Sequence, residues 1–71
     1  MNITNAQEEK EYRIRGINTD DDELDAFLFT LGCYAGEPIT LVSHRPGSYV
    51  VAVKDGRYSI DAQLAAAIEI G

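Results

Sequence analysis

The chain is poor in the residues that hold small folds together by chemistry. Its 71 residues include one cysteine, one histidine, two prolines and no tryptophan. A lone Cys33 can close no internal disulfide and offers no paired-cysteine zinc site. Packing alone must then hold the fold, and a reducing, cytoplasmic location is expected. A domain of this length buries only roughly 60% of its unfolded surface, so its stability margin is expected to be thin. Basic residues are scarce as well, six against twelve acidic ones, for a formal net charge of −6. Lys10, Arg13, Arg15, Arg45, Lys54 and Arg57 are scattered without a basic run, which argues against a nucleic-acid partner. No apolar stretch approaches the roughly 20 residues that span a bilayer. Residues 1–11 are polar and acidic where a signal peptide would be basic and then apolar, so no direct membrane insertion is expected.

What remains is the composition of an ordinary soluble domain, 45% hydrophobic and 25% charged. Residues 1–10 show no apolar period and read as a flexible N-terminal tail, leaving residues 11–71 as a single domain. Glu11 to Ile17 alternates, with Tyr12, Ile14 and Gly16 opposite Arg13 and Arg15, the pattern of a half-buried strand. Leu24, Phe27, Leu28 and Leu31 then recur at helical spacing and predict a helix over about residues 20–31 with that stripe on the core. Thr19 with Asp22, or Asp20 with Glu23, gives a capping-box pattern, and Gly32 gives a left-handed stop.

Beyond the helix the period becomes two. Ile39–Ser43, Tyr49–Lys54 and Arg57–Ile60 read as strands, with Asp55-Gly56 as a two-residue hairpin loop. That loop sets Lys54 opposite Arg57, Val53 opposite Tyr58 and Val51 opposite Ile60, and puts Val51, Val53, Tyr58 and Ile60 on the core face. Asp61 caps a short helical turn to Ala67, and Ile68–Ile70 forms a last strand. The expected fold is mainly β: a small SH3-like antiparallel barrel with one short helix near the N-terminus and a helical turn before the last strand.

Catalytic constellations are missing. His44 stands with Arg45, Pro46 and Gly47 in what reads as an exposed loop, without partners for metal or base chemistry. Cys33 reads as a small buried hydrophobe. Residues Asp20, Asp21, Asp22 and Glu23 splay around a helix start, where they suit the helix dipole better than a hard cation. Gly32, Gly36 and Gly47 lack the lysine and hydroxyl that end a phosphate loop, and Ser43, Ser48 and Ser59 lie in no nucleophile elbow. The chain is therefore expected to be no enzyme, with no metal and no cofactor. Phe29 is left over, about 100° or more off the helical stripe, with Tyr34 nearby in the turn. These two aromatics are the candidate partner-binding residues.

Leu31-Gly32-Cys33-Tyr34-Ala35-Gly36, with Ile39 and Leu41 behind it, resembles the FeoA-family motif in which a helix ends in Leu-Gly, three residues follow and a second Gly opens the strand. Gly56, Ile60, Ala65, Ile68 and Ile70 are similar to the family's closing pattern, and the similarity runs from about Ile14 to Ile70. Asp61 stands where that family usually has Arg, Leu64 where it often has Glu, and the loop Ser43 to Ser48 is shorter than usual. The resemblance implies an SH3-like barrel acting as a cytoplasmic accessory to a membrane ferrous iron transporter with a GTP-binding domain, the FeoB type. It also implies an alternative, a small metal-binding regulator or carrier related to the SH3-like domain of iron-dependent repressors. Those repressors carry a separate DNA-binding helical domain that this chain lacks.

Overall fold

Five antiparallel strands wrap around one core in a computed structural model that describes residues 1–71. The chain runs through a 3₁₀ turn (Ile3–Asn5), β1 (Glu11–Ile17), α1 (Asp22–Leu31), β2 (Pro38–Arg45), β3 (Ser48–Val53), β4 (Gly56–Ile60), α2 (Ala62–Ala67) and β5 (Ile68–Ile70). The strand order is β4-β3-β2-β1-β5, so β4 and β5 are the two edges and do not pair with each other. Each strand contributes apolar residues to the same core: Tyr12 and Ile14, Ile39 and Leu41, Val51 and Val53, Ile60, then Ile68 and Ile70. The mainly β, SH3-like class expected from the sequence is the one observed, with the curled sheet left open between β4 and β5.

Two strands carry an extra residue. The pairing of β2 with β3 shifts between Leu41 and Ser43, and that of β1 with β5 shifts between Ile14 and Gly16. Such bulges bend and twist a strand, which lets a short sheet curl around a core this small. Asp61 caps α2 as expected, accepting a hydrogen bond from the Leu64 N–H at 2.9 Å.

Four expectations are corrected. The loop of the β3–β4 hairpin is Lys54-Asp55, and Gly56 is the first residue of β4. Val53 therefore pairs with Gly56, Val51 with Tyr58 and Tyr49 with Ile60, two residues away from the expected register. Because the slip is an even number, Val51, Val53, Tyr58 and Ile60 keep the common face assigned to them. Gly56 serves the fold through space more than through turn geometry. The Tyr58 ring lies over it, and a Cβ there would overlap the Tyr58 hydroxyl and Cζ.

The helix starts later than expected. Asp21, neither Thr19 nor Asp20, is the cap, accepting from the Glu23 and Leu24 N–H groups, while the Thr19 hydroxyl accepts from the Asp21 N–H. In the helical stripe Leu28 is fully buried and Leu24 and Leu31 pack at its margin, but Phe27 is 48% exposed. A ten-residue helix lying on a small barrel touches it along a narrower line than the four-residue stripe requires.

His44 is not in a loop. Strand β2 runs on to Arg45, the turn is Pro46-Gly47, and His44 pairs with Tyr49 and stacks on its ring with centroids 5.9 Å apart. Its Nδ1 lies 2.8 Å from Glu8 Oε2, and the same carboxylate oxygen accepts the His44 backbone N–H.

Residues 1–10 are not a loose tail. Ile3 is fully buried and belongs to the core. Asn2 and Asn5 cap the 3₁₀ turn reciprocally, and the turn packs against α2. The Ile70 N–H donates to the Met1 carbonyl, Glu9 N–H donates to the Leu41 carbonyl, and Gln7 N–H donates to the Tyr12 hydroxyl. The segment is a strap that runs from the β5 edge across to β2.

Candidate functional site

The end of α1 builds the most distinctive surface of the molecule. Gly32 takes φ +97° and the helix closes with the Gly32 N–H donating to Phe29 O and the Cys33 N–H to Leu28 O, both at 3.0 Å. This is a Schellman closure, whose left-handed residue glycine tolerates best. A side chain at Gly32 would also meet Lys54, whose Cγ would lie 2.7 Å from the added Cβ. The glycine thus lets the Lys54 stem cross the helix end.

That crossing delivers charge. Lys54 Nζ reaches Glu37 Oε1 at 2.6 Å and sits 4.9 Å above the Tyr34 ring. The Glu37 hydrogen bond, followed by Tyr34, holds the ammonium proton well above the usual lysine range. Tyr34 in turn packs against Phe29, ring centroids 5.0 Å apart and tilted by 36°, a favourable aromatic geometry. Phe29 remains 63% exposed. The two aromatics that the sequence singled out are therefore brought together on the surface.

A groove of about 610 Å³ opens beside them. One wall is the end of α1 with Phe29 and Tyr34; the other is the β3–β4 hairpin with Lys54, Asp55 and Tyr58. Sequence reasoning missed this second wall. It placed Tyr58 on the core face, where it does lie, but at the mouth of the barrel and only half buried. The large ring so close to the hairpin loop was the available signal.

The other chemistry-bearing residues lie apart from this groove. Cys33 is buried, and desolvation pushes its thiol up from 9.0 to about 11. At pH 8 native protein should then alkylate at least about ten-fold more slowly than protein unfolded in denaturant, because the thiolate is the reactive form. Mass spectrometry of iodoacetamide-treated samples measures this. Equal rates would mean that Cys33 is open to solvent. The Asp21 carboxylate is occupied as a helix cap. No group of three or more His, Cys, Asp and Glu side chains converges as a metal site would require. No helix is long and apolar enough to cross a membrane.

A family model described as the FeoA domain matches residues 1–71. Comparison with curated proteins gives no match. Among solved structures, the chain is similar to FeoA of Stenotrophomonas maltophilia, crystallised with zinc and described as a prokaryotic SH3 domain protein and candidate ferrous iron transport activating factor. That similarity has 17% identity and a TM-score of 0.89, covering 100% of this chain and 89% of the other. An iron uptake regulatory protein, also FeoA, aligns at 19% identity and TM-score 0.83 over 96% and 91% of the two chains. A manganese-dependent transcriptional repressor aligns at 14% identity and TM-score 0.90, covering 99% of this chain but 40% of the repressor. At these identities the likeness is one of fold, an SH3-like fold in each case.

Proposed function

The chain belongs to the FeoA family, and on that premise we propose that it is a non-enzymatic accessory protein of bacterial ferrous iron transport. It works in the cytoplasm by binding the cytosolic part of a membrane ferrous iron transporter of the FeoB type, which carries a GTP-binding domain. The observation that carries this reading is the exposed Phe29 packed on the half-buried Tyr34 beside an open groove. Protein-binding surfaces concentrate their energy in a few aromatic anchors within a polar rim, and a half-exposed aromatic pair held by a fixed helix end has that character.

Phe29→Ala tests it. With Phe29 63% exposed, the variant should melt close to the wild type while losing more than about 1 kcal/mol of binding to the transporter's cytosolic part, roughly a five-fold weaker Kd. Calorimetric titration and one thermal melt decide the matter. Unchanged affinity together with an early melt would make Phe29 a structural residue and remove the surface. The alternative of a metal carrier gains no specific support, since Cys33 is buried, His44 is engaged by Glu8, and no three His, Cys, Asp or Glu side chains converge.

A further inference from the structure

We propose that the outer edge of β4 is the docking rail of this surface. One extended, basic segment of the partner adds to the sheet beside β4 and lays cationic side chains into the groove between Tyr58 and the Phe29–Tyr34 pair. This deepens the reading above and rests on it.

The two edges of the sheet are treated differently. The β5 edge is covered by the chain itself, through the Ile70 N–H bond to Met1 O and the bridge between Asn2 and Glu69. No strand pairs with the outer edge of β4. Its last-place position in the strand order gives it one neighbour, β3. In a hairpin with the two-residue loop Lys54-Asp55, the closing pair Val53 and Gly56 exchanges hydrogen bonds, and bonded and non-bonded pairs then alternate. Gly56, Tyr58 and Ile60 bond to β3, whereas the N–H and C=O groups of Arg57 and Ser59 point outward. No backbone or side-chain hydrogen bond in the molecule reaches them outside the sheet. Arg57 and Ser59 are both exposed. Unpaired strand groups of this kind are a template for one more strand.

The edge also borders the aromatic groove, because Gly56 and Tyr58 belong to both. Charge selects the occupant. The one ammonium in the groove, Lys54, is engaged by Glu37, while the Asp55 carboxylate has no ion-pair partner. An unpaired carboxylate in the same groove as Phe29 and Tyr58, with the Tyr34 face already taken by Lys54, favours a lysine or arginine from the incoming strand. The net charge of −6 draws such a segment in and opposes pairing of two copies of this chain. On the opposite face of the sheet Arg57 stands out beside Ala52. The favoured segment therefore alternates basic residues on the groove side with polar or acidic ones on the other.

The test uses the whole chain and the soluble cytosolic part of the transporter. Arg57→Pro removes an outward N–H without breaking a bond to β3, and proline is tolerated at such edge positions. Arg57→Ala removes the charge and keeps the N–H. Arg57→Pro should bind about five-fold or more weakly than Arg57→Ala. In the wild type, saturation with the fragment should slow amide exchange at Arg57 and Ser59 within β4, and affinity should fall as salt rises. If Phe29→Ala weakens binding while those two amides exchange unchanged, the groove stands and the rail is overturned. Should Arg57→Pro fail to fold, the exchange measurement decides alone. Affinity independent of salt overturns the basic character of the segment. A concentration-dependent dimer of the free protein with both amides protected reassigns the edge to a second copy and overturns the proposal. If no fragment binds at all, both readings fall together.

Discussion

Replacing Ile3 by alanine is expected to lower the unfolding free energy by about 2–5 kcal/mol, the range for truncating a fully buried aliphatic side chain. Ile3 is 0% exposed, sits in the main core and anchors a capped 3₁₀ turn against α2. Domains of this kind have about 5–15 kcal/mol in total, so one side chain near the start of the chain would decide a large share of it. Urea denaturation of wild type and Ile3→Ala, with equal m-values, measures the difference. A loss below about 0.5 kcal/mol is what a loose tail would give, and it would remove the strap from the cooperative unit. The companion measurement is Glu8→Gln. This change touches the exposed pair with His44 and should alter stability by less than about 1 kcal/mol, as exposed ion pairs do.

Leu28→Ala should have an effect of the same size, again about 2–5 kcal/mol. It is the one residue of α1 that is fully buried, and its carbonyl also accepts the Cys33 N–H that closes the helix. The instructive comparison is Phe27→Ala, one position earlier. At 48% exposure the larger aromatic ring should cost less than the buried leucine, about 1 kcal/mol or less. Thermal and urea unfolding of both variants orders them. If Phe27→Ala proved the more damaging, the helix would be rotated on the barrel relative to the structure described above. A folded Leu28→Ala variant should still present Phe29 and Tyr34, which would separate stability from binding.

Much of the candidate site was legible before any fold was in view. Phe29 stood out because it breaks a helical stripe, and Tyr34 because it follows the glycine that ends the helix. Their ring contact needed the geometry of that helix end. Lys54, Asp55 and Tyr58 were not legible as site residues. They come from a hairpin 20 or more positions beyond Phe29 and Tyr34, and the groove exists only because the fold sets that hairpin beside α1.

Local pattern alone determined the elements of this protein: the alternation of β1 to β4, the helix before Gly32, the Asp61 cap and the final Ile68–Ile70 strand. These are decided within a few residues, where a two- or 3.6-residue period and a capping side chain act directly on the backbone. Tertiary structure decided the rest. Ile3 is buried although its neighbours are polar, because α2 and β5 offer a place for it that no local period reveals. The hairpin register lies two residues from the expected one because the turn is made at Lys54-Asp55, with Lys54 at φ +54°, and the even shift keeps the same face inward and so leaves the pattern of apolar residues unchanged. His44 lies in a strand because β2 runs on to pair it with Tyr49, and Glu8, 36 residues earlier, binds both its ring and its backbone N–H there. For Ile3 and for His44 with Glu8 the partner is distant in sequence, and only the folded core brings it within reach.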